Sequence, residues 1–325
     1  MSQHYSRSLL LYGLRDLRWV DEPLAAPGPA EILVRTRAGS ISMGTELPLV
    51  RGDQREPVPS YPLMTGYESV AEVLACGAAV SGIAPGDRVV ATYGHRSHAL
   101  LAAARAILVP AAIDDRLALL SILACDAAKG VGKLAAPPGT PVLISGAGTI
   151  GLLALFNLRA NGFSVVDVVE PQPTRRQLAL RLGARHAADP ADLAALDKGY
   201  AAAIECSSHN AAFALLQQRM WPNGQICVLA DGNLEPLLLQ PEFHSRELTI
   251  VGSSDGIDYP GYARWFWAQL QTAEAPPLHE LFEAEVPAEQ LAETFLALAK
   301  RRAPPLKVLV RYKQAATPIN FVFAR

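Results

Sequence analysis

A glycine-rich turn between an apolar run and a helical pattern constrains the fold of this chain more than any other feature. The stretch PVLISGAGTIGLLAL begins at residue 141 and carries Gly146, Gly148 and Gly151 in G-x-G-x-x-G spacing. The first glycine allows a tight turn, the second lets the backbone approach a pyrophosphate, and the third lets the helix pack closely on the strand. The stretch therefore predicts the first strand, turn and helix of a parallel, dinucleotide-binding sheet.

The residues around this turn alternate between helical and strand patterns from about 114 to 254. Their strands are nearly continuous apolar runs, which is typical of a parallel sheet covered by helices on both faces. Between about 30 and 110 the pattern is different, because short β-like segments are separated by Gly, Pro and Asp turn signals. The fold class is thus α/β, with a doubly wound parallel-sheet domain and a partly closed all-β domain.

An acidic residue ends the second predicted strand, SVVDVVE, about 20 residues beyond the glycines. Glu170 at this place would accept hydrogen bonds from the adenosine ribose hydroxyls and repel the extra phosphate of NADP(H), so NAD(H) is favoured. Arg175 and Arg176 follow, and an arginine could instead pair with that phosphate. The candidate cofactor-binding residues share the turn and the strand tip after it: Gly146, Gly148, Thr149, Ile150, Gly151, Glu170 and Arg175.

Composition excludes several classes of protein. The 325 residues carry 29 Lys and Arg against 31 Asp and Glu, scattered along the chain, which argues against nucleic acid as a partner. Apolar runs stay well short of the roughly 18 residues that suggest a membrane span, and the start of the chain lacks a signal-peptide pattern. Four cysteines without a CxxC pair favour neither a zinc knuckle nor a disulfide framework. We expect a cytoplasmic protein with a small-molecule substrate.

Five short motifs together resemble the medium-chain dehydrogenase/reductase superfamily over nearly the whole chain. They are GTE at 44–46, GYESVAEV at 66–73, GDRV at 86–89, GAGTIG at 146–151 and KVLV at 307–310. The resemblance implies a GroES-like catalytic domain made of residues 1–121 and 255–325, with a Rossmann domain of residues 122–254 inserted. It also implies a homodimer through the edge strand ELTIVGS of the Rossmann sheet.

Departures from the superfamily pattern concern zinc. Where zinc-containing members have ligands, this chain has Met43, Tyr67 and a position near Ile122, and the lobe that carries a structural zinc in many members is absent. A four-coordinate zinc therefore has no ligand set there, and we expect no catalytic metal. GTE with GYES and no zinc ligands is most similar to the 2-desacetyl-2-hydroxyethyl bacteriochlorophyllide a dehydrogenases, which oxidise a hydroxyethyl group on a tetrapyrrole with NAD. Zinc-lacking relatives also serve other pathways.

The resemblance places a candidate set of catalytic groups. Tyr67 stands at a ligand position, Thr45 and Glu46 stand where the family keeps a proton-relay hydroxyl and a nearby acid, and Glu68 and Asp126 complete the polar set. In this hypothesis Tyr67 hydrogen-bonds the substrate oxygen, Thr45 passes the proton outward and a carboxylate accepts it. The alternative is structural: Tyr67 fills the space of the metal, and Glu46 and Glu68 make buried hydrogen bonds.

Three functions remain open at this stage. The first is a zinc-independent, NAD(H)-dependent oxidoreductase acting on a secondary alcohol or ketone. The second is an NAD(P)H-dependent quinone or enoyl reductase of activated double bonds, which Glu170 disfavours because that branch usually prefers NADP(H). The third is a non-catalytic dinucleotide-binding relative.

Overall fold

The computed structural model of the chain describes residues 5–53, 60–194, 196, 199–232, 235–271, 275–301 and 303–314. The chain packs as two compact units. The β-rich unit consists of Met1–Leu119 and Leu281–Arg325, and the parallel-sheet unit consists of Leu120–Glu280. Within the described ranges, no helix combines the length and apolarity that a bilayer crossing needs.

The β-rich unit contains ten strands and two α-helices within the part of it that is described. The strands are β1 (Tyr5–Gly13), β2 (Asp16–Pro23), β3 (Glu31–Ser42), β4 (Leu63–Met64), β5 (Ser69–Cys76), β6 (Arg88–Ala91), β7 (His98–Ala102), β8 (Ile107–Leu108), β15 (Phe282–Pro287) and β16 (Lys307–Arg311). The helices are α1 (Glu46–Arg51) and α8 (Leu291–Leu298). Strand β3 covers the predicted segment 31–42.

Strand β3 organises the β-rich unit because it pairs with three other strands. Its sheet runs in the order β15-β16-β3-β5-β6-β8, with β7 also paired to β3, and a smaller sheet runs β2-β1-β4. Most of β3 is buried, which suits its run of apolar and small residues. An apolar cluster that includes Leu9, Ile41, Leu47 and Phe295 joins strands to α1 and α8. The loop after β3 is thereby held on a packed base.

The described residues of the parallel-sheet unit form six strands. They are β9 (Val142–Ser145), β10 (Val166–Val169), β11 (His186–Ala188), β12 (Tyr200–Glu205), β13 (Met220–Val228) and β14 (Thr249–Gly252). The helices are α3 (Thr149–Ala160), α4 (Pro173–Arg181), α5 (Asn210–Arg219), α6 (Pro241–Ser245) and α7 (Tyr259–Gln269). Helix α2 (Asp115–Gly132) carries the chain into this unit from the β-rich one.

The parallel strands run in the spatial order β11-β10-β9-β12-β13-β14. Counted from β9, this is the order 3-2-1-4-5-6 of a Rossmann sheet, and the direction of winding reverses between β9 and β12. All five strand pairs are parallel, and Ser145, Val169 and Glu205 are aligned at the carboxyl ends of their strands. The prediction of an α/β chain with a GroES-like β domain and a Rossmann sheet is confirmed.

The second boundary between the units differs from the predicted junction near residue 255. Helix α7 packs on α3: the rings of Phe266 and Phe156 meet edge-on with centroids 5.2 Å apart, and the Tyr262 hydroxyl donates to Asn157 Oδ1 at 2.8 Å. These contacts place α7 with the parallel-sheet unit, which extends from Leu120 to Glu280.

Candidate functional site

The turn after β9 has the backbone geometry that its glycines predict. Gly146 has φ of +89°, a conformation that side chains with a Cβ rarely adopt. A Cβ on Gly151 would lie 1.9 Å from the carbonyl oxygen of Gly146, so any larger residue would collide with the backbone. A Cβ on Gly148 would have no neighbour within 4 Å and would project into open space. The turn thus requires glycine at 146 and 151 for its own conformation. The lack of a side chain at Gly148 instead leaves open space beside the turn.

Helix α3 begins directly after this turn. Gly148 occupies its N-cap position, and no side chain caps the helix there. Thr149 and Ile150, the first two helical residues, are only partly buried. A helix N-terminus carries partial positive charge and orients backbone N–H groups toward an anion. The residues therefore fit the pyrophosphate of a dinucleotide at the point where the sheet reverses its winding.

Glu170 holds the glycine turn from the neighbouring strand. Its carboxylate accepts hydrogen bonds from the N–H groups of Ala147 at 2.7 Å and Gln172 at 2.9 Å, and the residue is 4% exposed. These bonds place a negative charge beside the turn. Arg176 is used locally, because its guanidinium donates to the carbonyls of Glu170 and Pro171. Arg176 also pairs with Asp189 at 2.9 Å.

Glu205, at the tip of β12, is a residue that sequence reasoning missed. It is fully buried next to β9, and its carboxylate accepts from the N–H groups of Ser207 at 2.7 Å and Ser208 at 3.1 Å. It also accepts from the Ser145 hydroxyl at 3.3 Å. Glu205 therefore shapes the loop on the other side of the glycine turn. The signal was available, since an acid that ends an apolar strand beside the switch point mirrors Glu170.

Asp126 lies on α2 within the parallel-sheet unit. Its Oδ1 accepts hydrogen bonds from the Tyr259 hydroxyl and from the Gly256 N–H, each at 2.7 Å. Burial, followed by the bond to Asp126, raises the pKa of the Tyr259 phenol. The carboxylate thus ties the loop before α7 to α2, and we treat Asp126 as a positioning residue for that loop.

Tyr67 lies in the β-rich unit, on the loop before β5. Its side chain is partly exposed, and its hydroxyl shares hydrogen bonds with the side chains of Ser42 and Thr45. Burial of the hydroxyl, followed by the charges of Glu68 and Glu46, raises the pKa of the phenol well above its usual value of 10.0. The raised pKa favours the neutral phenol, whose O–H can donate a hydrogen bond. Thr45 is exposed, so its hydrogen bond with Tyr67 connects the phenol to solvent.

Glu46 is buried and binds two loops. Its Oε2 accepts the N–H of Ser42 at 2.8 Å, and its Oε1 accepts the N–H of Gly66 at 2.7 Å and lies 3.1 Å from His95 Nε2. A carboxylate with these partners is held in place, and it fixes Gly66, which precedes Tyr67, and Ser42, to which Tyr67 is bonded. This arrangement corresponds to the structural alternative for Glu46.

Glu68 and Lys307 form an ion pair in the core of the β-rich unit. Each is 1% exposed, and Lys307 Nζ lies 2.8 Å from Glu68 Oε2 and 3.0 Å from Oε1. The hydroxyl of Ser40 also donates to Glu68. A buried carboxylate that is already paired does not exchange protons readily with solvent. We therefore treat Glu68 as a residue that positions Tyr67 rather than as the final proton acceptor.

The side chains at the expected zinc positions do not fit that metal. Met43 is partly buried and packs on the apolar cluster that contains Leu47 and Phe295, and a thioether is a poor zinc ligand. Cys125, near the third position, donates from Sγ to the carbonyl of Ile257 at 3.3 Å, and burial raises the pKa of its thiol to about 11. Across the described residues, no three His, Cys, Asp or Glu side chains group as metal ligands. Zinc independence stays a prediction.

A Rossmann sheet with a glycine turn at its switch point, in a chain that also folds a GroES-like β unit, defines a dinucleotide-dependent oxidoreductase of the alcohol dehydrogenase type. Comparison with known families agrees. The alcohol dehydrogenase GroES-like domain family matches residues 28–106, and the zinc-binding dehydrogenase family matches residues 149–268, which together span more than half of the chain. The protein belongs to the zinc-type alcohol dehydrogenase superfamily, the medium-chain dehydrogenase/reductases.

Individual relatives are distant. The geraniol dehydrogenase of Castellaniella defragrans is 33% identical over 235 residues, which cover 54% of this chain and 62% of that protein. The 2-desacetyl-2-hydroxyethyl bacteriochlorophyllide A dehydrogenase of Cereibacter sphaeroides is 33% identical over 194 residues, 53% of this chain and 58% of that one. The match thus spans about three fifths of these curated relatives. An alcohol dehydrogenase of Escherichia coli CFT073, solved with NADH, shares the fold with a TM-score of 0.81 at 19% identity, covering 95% of this chain and all of the other.

Proposed function

We propose that the protein is an NAD(H)-dependent oxidoreductase that works without zinc and transfers hydride between the nicotinamide ring and a secondary alcohol or ketone. The observation that carries this proposal is the hydrogen bonding of Tyr67. At a position where zinc-containing relatives place a ligand, this chain has a phenol hydroxyl hydrogen-bonded to the side chains of Ser42 and Thr45. A neutral hydroxyl can take over the task of binding and protonating the substrate oxygen.

The chain's residues divide the remaining work. When bound, the nicotinamide supplies or accepts the hydride. In the direction of reduction, the Tyr67 hydroxyl donates a hydrogen bond and then its proton to the carbonyl oxygen, and exposed Thr45 returns a proton from solvent. Glu46 and the Glu68–Lys307 pair hold the loop around Tyr67. In the direction of oxidation, the same hydroxyls pass the proton outward.

Replacement of Tyr67 by phenylalanine tests this function in chelator-treated protein. Wild-type protein should reduce methyl ketones with NADH after chelation, and Tyr67→Phe should lower kcat by about 10²- to 10⁴-fold, the usual range for general acid catalysis. NADH affinity should stay unchanged. Because the raised pKa keeps the phenol protonated, the wild-type reduction rate should show no loss from Tyr67 ionisation between about pH 6 and 9.

Tyr12→Phe is the matched control, since Tyr12 lies on β1 of the same unit, where its ring contacts the Arg18 guanidinium at 4.9 Å. It should leave turnover unchanged. Two results would count against the proposal: turnover of Tyr67→Phe within twofold of wild type, or a loss of wild-type activity on chelation that added zinc restores.

The cofactor preference that we propose is NAD(H), and Glu170 supports it. Its carboxylate lies at the tip of β10, bonded to the glycine turn, where it would face the adenosine ribose. A second negative charge from a 2′-phosphate would be repelled at short range. We expect NADH to bind at least about tenfold more tightly than NADPH, which corresponds to about 1.4 kcal/mol.

Glu170→Gln should reduce that preference, because the amide removes the charge and keeps one acceptor oxygen for the turn. Titration followed by calorimetry should show weaker NADH binding and stronger NADPH binding, so that the ratio falls at least about threefold. Glu242→Gln, an acid on α6 of the same unit, should change neither affinity. Stronger NADPH than NADH binding in wild type would assign the preference to Arg175 instead.

The substrate class is the least constrained part of the proposal. Similarity to a dehydrogenase named for a hydroxyethyl-bearing bacteriochlorophyllide supports a secondary alcohol attached to a large apolar body. The reduction of activated double bonds is the second candidate, since a protonated Tyr67 could also protonate an enolate. A panel of secondary alcohols, including hydroxyethyl tetrapyrroles, assayed beside quinones and enones separates the two. If the protein binds NADH tightly but turns over no compound, the non-catalytic hypothesis gains support.

Strand β14 lies at one edge of the parallel sheet, and an unpaired edge is commonly covered by a copy of itself. We propose a cytoplasmic homodimer through this edge. Sedimentation measures the mass of the protein in solution and so tests whether it is a dimer.

A further inference from the structure

A cavity in the β-rich unit lies apart from Tyr67. Its volume is about 200 Å³, and it is partly open to solvent. Its wall includes Arg7, Trp19, Arg35, Glu289, Tyr312 and Lys313. Arg35 lies on β3 seven residues before Ser42, which corresponds to roughly 20 Å of strand. None of these wall residues takes part in the proposed hydride chemistry.

The cavity concentrates positive charge on a chain whose net charge is −2. Three cationic side chains line it, Arg7, Arg35 and Lys313, against the single carboxylate of Glu289. Lys313 pairs with Glu289 at 3.0 Å, but its side chain is 83% exposed, so that ion pair is weak. Arg35 pairs with Glu72 through Nη2 at 2.8 Å. The local balance favours an anionic ligand.

Two buried polar groups on the wall have no hydrogen-bond partner among the described residues. They are Nε of Arg35, whose side chain is 13% exposed, and the hydroxyl of Tyr312, a residue that is 9% exposed. An unpaired buried donor is costly, so such groups mark places where a ligand oxygen would be stabilising. Arg35 has a planar fork that suits carboxylate or phosphate oxygens.

An apolar surface lies beside these donors. The guanidinium of Arg7 is 5.3 Å from the Trp19 ring centroid, so the charge and the ring form one face. Ala288 also lines the cavity. A ligand that carries both an anionic group and a flat apolar body could contact the cations and the indole together.

We propose that this cavity binds a small organic anion through its carboxylate or phosphate group. Arg35 and Arg7 contact the anionic oxygens, Tyr312 supplies a further donor, and Trp19 packs against the body of the ligand. The site is separate from the dinucleotide turn, and its occupation does not depend on the proposed oxidoreductase activity.

Calorimetric titration of the full chain in low-salt buffer tests the proposal, with benzoate and inorganic phosphate as probes and chloride at matched ionic strength as reference. We expect one saturable equivalent of at least one probe. Arg35→Gln and Arg7→Gln should each weaken binding at least about tenfold. Tighter benzoate binding would identify a carboxylate ligand with a planar body, and tighter phosphate binding would identify a phosphorylated one.

Arg18→Gln is the matched control, because Arg18 lies on neighbouring β2 and pairs with Asp16 in solvent. It should change affinity less than twofold. If Arg35→Gln fails to fold because Glu72 loses its partner, Arg7→Gln and Lys313→Gln on the rim carry the test. The proposal would be overturned if the affinity for both probes only matched that for chloride. It would also be overturned if binding persisted in Arg7→Gln and Lys313→Gln because phosphate occupies the turn before helix α3.

Discussion

Gly151→Ala should remove dinucleotide binding. The new Cβ would lie 1.9 Å from the carbonyl oxygen of Gly146 and 3.4 Å from Cβ of Cys206. Because the nearest atom belongs to the backbone, no rotamer change relieves the collision, and the turn must open or α3 must shift away from β9. Either movement displaces the N–H groups that would hold the pyrophosphate. We expect NADH affinity, measured by calorimetry, to fall at least about 100-fold, or about 2.7 kcal/mol.

Two other glycines provide the comparison. Gly252→Ala, at the end of β14, introduces a methyl group with no atom within 4 Å and should leave affinity unchanged. Gly148→Ala should preserve the fold for the same reason, yet weaken NADH binding, because its methyl group projects into the space beside the turn. Near-normal affinity in Gly151→Ala would show that the turn is not the phosphate site.

Lys307→Met should cause the largest loss of stability among the substitutions considered. Lys307 and Glu68 are each 1% exposed, and removal of the ammonium leaves the carboxylate buried with only the Ser40 hydroxyl as a side-chain donor in the described structure. Breaking a buried ion pair on one side typically costs about 3–5 kcal/mol. Urea denaturation, monitored by the fluorescence of Trp19, should therefore show a lower midpoint for the unfolding of the β-rich unit.

The double substitution distinguishes a lost charge partner from lost packing. Lys307→Met combined with Glu68→Gln removes both charges and should recover more than half of the lost free energy of unfolding. Lys313→Met is the control, because this lysine is largely exposed and its pair with Glu289 is screened by solvent. Equal destabilisation in the single and double variants would mean that the ion pair contributes little beyond the packing of its two side chains.

Sequence reasoning succeeded where structure follows from neighbours in the chain. Gly146, Gly148 and Gly151 define a turn within six residues. The constraints on them are local, apart from the contact of the turn with the residues directly after β12. Strand β3 was equally readable, since twelve residues without a helical pattern between turn signals leave few alternatives. A parallel sheet covered by helices on both faces follows from strand–helix alternation.

The candidate catalytic groups were harder to assign, because their roles depend on contacts between distant parts of the chain. Glu68 is paired with a lysine 239 residues away, and no spacing rule connects those positions. In the sequence, Glu46 and Tyr67 are both candidate catalytic residues. Only their partners show that Glu46 binds the backbone of two loops while Tyr67 keeps a partly exposed side chain bonded to Ser42 and Thr45.

The sequence alone was therefore sufficient for the fold class and the glycine turn, because periodicity and glycine geometry act over short distances. The burial and hydrogen-bond partners of Glu46, Glu68 and Tyr67, the local contacts of Arg176, and the cationic cavity around Arg35 required the folded chain. Burial and charge pairing are set by residues that approach in space, and a pKa or a binding site depends on those neighbours rather than on the residues adjacent in the sequence.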